Sequence, residues 1–138
     1  MNISIYTDGG ARGNPGPAGF GVVIYDEKKS IIFKNAVYLG TKTNNEAEYL
    51  GLINALEWAN NNKDNFKIDR IVYYSDSQLL VRQMQGLYNV KAPNLKPLFH
   101  QAQSLVAQIA LPIVFNDVRR EYNELADELA NSAMDKKQ

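Results

Sequence analysis

Ile3-Ser4-Ile5-Tyr6-Thr7-Asp8-Gly9-Gly10-Ala11-Arg12-Gly13-Asn14-Pro15-Gly16-Pro17-Ala18-Gly19-Phe20-Gly21 is the stretch around which the rest of the chain is organised. Ile3 to Thr7 alternate and are rich in β-formers, which predicts a strand, and Asp8 stands where that strand meets a glycine-crowded turn. A carboxylate so placed is exposed yet rigidly held. A phosphate-cradling loop is one alternative. The Walker pattern requires a Gly-Lys pair before a helix, and the dinucleotide pattern also requires a helix after its glycines. Pro15 and Pro17 forbid a helix directly after Gly13, and Phe20 to Tyr25 reads as a second strand. The glycines therefore join two strands. Read alone, Asp8 is equally well explained as a turn starter whose side chain bonds the backbone two residues on.

A chain of 138 residues with 45% hydrophobic content supports one substantial core, so a single domain over residues 1–138 is expected. Fifteen basic and fifteen acidic side chains give a formal net charge of zero, so no global field draws the chain to nucleic acid or to anionic membranes. An anionic partner must then be held by local groups or by metals. The absence of cysteine rules out a disulfide framework and a thiolate metal site. No basic segment with an apolar run precedes the first strand, and no apolar stretch approaches the roughly 20 residues a membrane helix needs. A cytoplasmic location, no membrane association and a monomer are the expectations.

Further along, Ile31 to Leu39 follows the polar reversal Asp26 to Ser30, so three antiparallel strands open the fold. From Thr43 the period becomes helical. Tyr49, Leu52, Ile53 and Leu56 recur at i, i+3, i+4 and i+7, and Thr43-Asn44-Asn45-Glu46 fits a capping box. Ile68 to Ser75 predicts a strand that Asp76 closes, ahead of a helix over Ser77 to Gln85. Gly86 to Pro97 reads as a connection, Leu98 to Ile109 as a helix, Ile113 to Val118 as the last strand and Arg119 to Tyr122 as a charged loop. Asn123 is placed to cap a final helix with Leu125, Ala126, Leu129, Ala130, Ala133 and Met134 as its buried stripe, fraying over Asp135 to Gln138. The order β-β-β-α-β-α-α-β-α predicts an α/β fold: a five-stranded mixed sheet, a meander followed by parallel crossovers, with helices on both faces. In open α/β sheets the working groups gather beyond the carboxyl ends of the parallel strands, where Asp8 and Asp76 both fall.

Glu48 shares a helical face with Leu52 and Ala55, which turns it towards the sheet, and Asp127 lies early on the last helix. Singly, Asp76 reads as a helix cap, Glu48 as a solvated residue and Asp127 as one charge among many. Their joint placement at one edge of one topology favours a common site. Four carboxylates so close repel one another unless cations sit among them. Magnesium (Mg2+) prefers oxygen ligands and is commonly held by a few carboxylates plus substrate phosphate, and manganese (Mn2+) is the alternative. Two ions about 3.5–4 Å apart activate a water and stabilise the leaving oxygen of a phosphoryl displacement.

Tyr-Thr-Asp-Gly-Gly at 6–10 with Gly-Asn-Pro-Gly-Pro at 13–17, Thr-Asn-Asn-Glu-Ala-Glu at 43–48, Ser-Asp-Ser-Gln at 75–78 and Asn-Glu-Leu-Ala-Asp-Glu-Leu-Ala at 123–130 resemble the motif set of type 1 ribonuclease H, in the family's order. The resemblance implies a ribonuclease-H-like fold, with Asp8, Glu48, Asp76 and Asp127 as catalytic, metal-binding acids. It also implies two-metal hydrolysis of the RNA strand of an RNA/DNA hybrid, leaving 5′-phosphate and 3′-hydroxyl ends. By the same carry-over Gly9, Asn14, Thr43, Asn44, Asn45 and Gln78 form the hybrid-binding set: Asn14, Asn45 and Gln78 touch the minor groove, with Asn44 near them, and Thr43 meets a DNA-strand phosphate. Capping and turn duty is the competing reading for Thr43 and the asparagines, and is favoured for Asn44.

Two departures from the family pattern stand out. The loop before the last acid, Asp117 to Tyr122, lacks the histidine that assists product departure in well-studied members, and the only histidine, His100, falls on a predicted helix as a surface or packing residue. Arg120, then Arg119, are the candidates to replace it, against the alternative of a surface salt bridge from Arg120 to Glu121 or Glu124. The lysine-rich basic handle is also missing, since Gly86 to Pro97 offers only Lys91 and Lys96. A non-catalytic binding module and another metal-dependent nuclease on a related sheet are the rival readings. Retention of all four acids argues against the first, and the Asn and Gln positions argue against the second.

Overall fold

The structure, a computed structural model, describes residues 1–136. Its elements are β1 (Asn2–Ala11), β2 (Gly16–Tyr25), β3 (Ile31–Lys42), α1 (Asn44–Asn62), β4 (Arg70–Ser75), α2 (Gln78–Met84), α3 (Lys96–Ile109), β5 (Ile113–Asp117), a 3-10 turn (Arg120–Tyr122) and α4 (Glu124–Lys136). The sheet runs β3-β2-β1-β4-β5, with β1, β2 and β3 antiparallel and β1, β4 and β5 parallel. This is the expected mixed sheet, a meander extended by helical crossovers.

Asp8 is not at the end of its strand. β1 continues to Ala11, and Asp8 pairs with Gly21, Gly9 with Phe20 and Gly10 with Gly19. The glycines stay in the ladder because helices lie directly on them. A Cβ on Gly9 would sit 2.4 Å from the carbonyl carbon of Ala47 in α1, and one on Gly21 would sit 2.3 Å from the carbonyl oxygen of Ala126 in α4. Neighbouring register pairs point to opposite faces, so α1 and α4 cover opposite sides of the sheet. Parallel pairing of β1 with β4 stops at Tyr6 and Tyr74, so Asp8, still in β1, and Asp76, just past the end of β4, each lie two residues beyond it.

α1 is buried on almost every side, through Tyr49, Leu52, Ile53, Leu56 and also Ala47, Gly51, Ala55 and Ala59, because it lies between the sheet and α3. Full burial of Leu52, Ile53 and Leu56 stabilises the fold by about 1.5–3 kcal/mol each. Its start is the expected capping box: Thr43 Oγ1 accepts from Glu46 N–H (3.1 Å), and Glu46 Oε1 accepts from Thr43 N–H (2.9 Å). α3 begins earlier than expected, at Lys96, because Pro97 occupies its first turn, where a missing N–H removes no helical bond. His100 faces outward on α3, exposed beside Phe99.

The end of the chain differs from expectation in two respects. Asn123 precedes α4 and its carbonyl accepts the Asp127 N–H, but its side chain does not cap the helix. It is buried instead, Nδ2 donating to the Thr7 carbonyl (2.8 Å), so it ties the helix start to β1. The buried stripe of α4 is Ala126, Ala130, Ala133 and Met134, with Leu125 and Leu129 half-buried. Small residues dominate because the helix rests on the backbone of β2 at Gly19 and Gly21. Asp135 and Lys136 belong to α4, and the rest of the segment expected to fray lies outside the described residues.

Candidate active site

Three elements bring three carboxylates together. Asp8 comes from β1, Glu48 from the second turn of α1 and Asp76 from the step between β4 and α2, and one oxygen of each lies within 4.8 Å of the others. Asp8 and Glu48 are 8% exposed and the Asp76 side chain 12%, so water screens their charges poorly. Glu48 is held in place by the Gly9 N–H, which donates to its Oε1 at 2.7 Å. Asp76 does not cap α2; Ser77 does, its Oγ accepting from Leu80 N–H at 3.3 Å. That leaves the Asp76 carboxylate free to face the cleft.

Asp127, in the first turn of α4, is outside the close trio but near enough to Asp8 to act on its carboxyl. It shares a cleft of about 420 Å³ with Asp8, Gly9, Asn44, Asn45, Glu48, Asp76 and Arg120. Burial first, then Asp127 and Asp76, push Asp8 from 3.8 up to about 8. Glu48 is pushed up as well, by burial and then by Asp8 and Asp76, against the opposing Gly9 hydrogen bond and Arg120. Asp76 Oδ2 is buried with no hydrogen-bond partner among the described residues. An unsatisfied carboxylate oxygen, an all-oxygen donor set and like charges in poor solvent together suit a hard divalent cation.

Arg120 reaches the same oxygen. Its Nε lies 3.6 Å from Asp76 Oδ2 while the guanidinium side chain stays 83% exposed. The surface salt bridge considered for Arg120 belongs to Arg119, which meets Glu121 at 3.7 Å. Arg119 nonetheless borders a second cleft of about 580 Å³ with Glu48, Asp76, Gln78, Asp117 and Arg120.

The polar residues around the acids are fastened to one another. Asn44 N–H donates to Asn14 Oδ1 (2.9 Å) and Ala11 N–H donates to Asn44 Oδ1 (2.7 Å), which joins the β1–β2 loop to the start of α1. Thr43 caps the helix and Asn45 is exposed at the cleft. Gln78 Nε2 donates to Asp117 Oδ2 at 3.3 Å, and Arg82 Nη1 meets Asp117 Oδ1 at 3.2 Å. Asp117, which no motif in the sequence marks, also lines the second cleft. It ends β5 opposite Ser75, so the strand-end rule that selected Asp8 and Asp76 selects it too. A larger groove, about 710 Å³, lies between Tyr6, Tyr25, Tyr74 and the start of α4 and holds none of the four site acids.

A sequence profile described as reverse-transcriptase-like matches residues 6–133. Ribonuclease HI of Halobacterium salinarum is 38% identical over 138 residues, covering 96% of this chain and 64% of that protein. A bifunctional protein of Mycobacterium tuberculosis is 41% identical over 138 residues, and this chain, of which 98% is matched, spans 36% of that relative's length. Among solved structures, LC11-RNase H1 in complex with an RNA/DNA hybrid superposes with a TM-score of 0.92 at 48% identity, covering 97% of each chain. The N-terminal RNase H domain of the mycobacterial protein gives 0.90 at 40% identity, covering 99% of this chain and 96% of that one. Agreement in sequence and in backbone runs from the first strand to the last helix, and the chain belongs to the type 1 ribonuclease H family of nucleases.

Proposed function

We propose that the chain hydrolyses the RNA strand of RNA/DNA hybrids, with Asp8, Glu48, Asp76 and Asp127 as catalytic acids that hold divalent cations, magnesium (Mg2+) or in its place manganese (Mn2+). The observation that carries this is the convergence of Asp8, Glu48 and Asp76 within 4.8 Å, at a poorly solvated spot where Asp8 and Glu48 hold their protons more tightly than usual, in a chain related to ribonucleases H along its length. Bound there in a pair, such cations supply Lewis acidity at the scissile phosphate and charge neutralisation on both the entering and the leaving side. In-line attack of water on phosphorus with departure of the 3′ oxygen leaves 5′-phosphate and 3′-hydroxyl ends. The attacking water gives up a proton to solvent and the leaving oxygen takes one from it, since arginine does not release one near neutral pH.

The chain's own groups do the positioning. The Gly9 N–H orients Glu48, and Asn123 anchors the start of α4, which carries Asp127. Asn14, Asn44, Asn45 and Gln78 are assigned to the minor groove, where amides supply donors and acceptors to base edges and to the 2′-hydroxyl that marks the RNA strand. Thr43 and Gly9 lie at the α1 end of the same surface and are assigned to backbone contact, Thr43 on the DNA strand. Arg120 takes the role of the missing histidine: exposed and long, it can leave Asp76 for the departing phosphate, with Arg119 beside it. End-labelled cleavage of matched RNA/DNA, RNA/RNA and DNA/DNA duplexes with and without magnesium tests the proposal. Cutting of the RNA strand in the hybrid, lost in chelator, is expected. Equal cutting of the DNA strand, or full activity in excess chelator, overturns it.

A further inference from the structure

Gln78 Nε2, Asp117 and Arg82 form a chain of groups with fixed hydrogen-bond polarity. The Arg82 guanidinium only donates and the Asp117 carboxylate only accepts, so the one face of the Gln78 amide that suits Asp117 is its NH2. The Gln78 carbonyl oxygen is then turned away from Asp117, on a side chain that borders the cleft of Glu48 and Asp76. Arg82 and Asp117 are 30% and 28% exposed, and the Gln85 Nε2 bond to the Phe115 carbonyl (2.7 Å) holds α2 against β5, so the orientation rests on a braced support.

Asn14 and Asn44 have the opposite polarity. Each has its carbonyl oxygen held by a backbone N–H, at 2.9 Å and 2.7 Å, which turns that oxygen towards the protein and leaves the NH2 as the end directed away from it. The difference matters in a minor groove. Every base pair there presents acceptors, but the only base donor is the 2-amino group of guanine. A ribose 2′-hydroxyl both donates and accepts, so it is served by either end of an amide. Donors on Asn14 and Asn44 are therefore indifferent to sequence, whereas an acceptor fixed at Gln78 distinguishes guanine.

We propose that Asp117, braced by Arg82, is a positioning residue that sets the polarity of the Gln78 amide, so that its carbonyl oxygen reads the guanine 2-amino group at one base pair of the hybrid. The inference rests on the hybrid reading above and deepens it. Asp117→Asn is the diagnostic substitution. Arg82 still requires an acceptor, so the substituted side chain turns its carbonyl oxygen to Arg82 and its NH2 to Gln78. The Gln78 amide then reverses and presents NH2 to the groove, where it opposes a guanine amine.

The experiment measures KM and kcat on hybrids with one cleavage site, in which guanines are replaced one at a time by inosine, which lacks only the 2-amino group. For the unaltered protein, inosine at one position raises KM about threefold to tenfold with little change in kcat, as the loss of one hydrogen bond requires. Asp117→Asn abolishes or reverses that preference, and Asp117→Ala and Gln78→Ala abolish it, with melting temperatures reported for all three. If no position responds to inosine in the unaltered protein, the inference is wrong. If Gln78→Ala removes the preference but Asp117→Asn keeps it, Gln78 touches guanine without help from Asp117 and the inference is overturned while the contact stands. If Gln78→Ala leaves both KM and preference intact, the assignment of Gln78 to the hybrid falls with it. Failure to cut any hybrid overturns the proposed activity instead.

Discussion

Glu48→Gln moves stability and activity in opposite directions. The amide keeps the shape of the side chain, and its carbonyl still accepts the Gly9 N–H that now bonds Oε1 at 2.7 Å. What it removes is a charge in a poorly solvated group whose oxygens lie within 4.8 Å of one another. At that separation two unit charges repel by about 3.5 kcal/mol at an effective dielectric of about 20. The sign of the pH dependence follows from the raised carboxyls. The folded state binds their protons more tightly than the unfolded chain does, so this stabilisation is complete below the unfolded value of 3.8 for Asp8 and is lost as pH rises to about 8. In chelator the unaltered protein therefore loses stability across that window, with a slope of up to about 1.4 kcal/mol per pH unit for each group released. Glu48→Gln should be more stable by about 3 kcal/mol at pH 9, roughly 10 °C in melting temperature for a chain of this length, and nearly equal at pH 4. Its turnover with magnesium should fall more than about 100-fold, beyond the loss typical of a group that merely supports a metal ligand. Glu46→Gln, which retains the capping box, should keep most of the activity. Thermal melts at both pH values in chelator, with steady-state hydrolysis of an end-labelled hybrid, decide the matter. A Glu48→Gln protein that is destabilised equally at pH 4 and pH 9, or that stays active, refutes the reasoning.

Arg120→Ala should lower kcat roughly tenfold, less than the about 10²–10³ of a preorganised buried donor because the guanidinium is exposed, whereas His100→Ala should leave the rate unchanged; a large loss at His100 contradicts its placement on the outer face of α3. Gly21→Ala should destabilise by about 3 kcal/mol or more, since its Cβ would lie 2.3 Å from the Ala126 carbonyl oxygen and 2.6 Å from Leu129 Cβ; an unchanged denaturant midpoint means α4 does not rest on β2 as described. With no net charge, hybrid affinity should depend weakly on salt, and a slope corresponding to about ten neutralised phosphates, measured by fluorescence anisotropy in calcium or chelator, shows a basic surface where none is expected.

The local chemistry of the chain was legible without coordinates. Hydrophobic period switches from two to 3.6 at Thr43, the capping box sets the register that turns Glu48 inward and leaves Glu46 outside, and the order of strands and helices compels parallel crossovers beside a meander. Those are properties of short segments and of connectivity, and they were enough to gather Asp8, Glu48, Asp76 and Asp127 into one candidate group, of which the structure draws the first three within 4.8 Å. What depended on packing was not legible. The glycines after Asp8 read as a turn because glycine weakens strands, yet α1 and α4 come so close that only glycine fits, and the strand continues through them. Asn123 read as a cap because that is its local preference, but a buried carbonyl of β1 claimed its amide instead. Arg120 beside Asp76, and the Arg82–Asp117–Gln78 chain, join residues from separate elements across the cleft. Such contacts depend on how far apart the packed sheet and helices finally stand, a distance that no periodicity in the chain encodes.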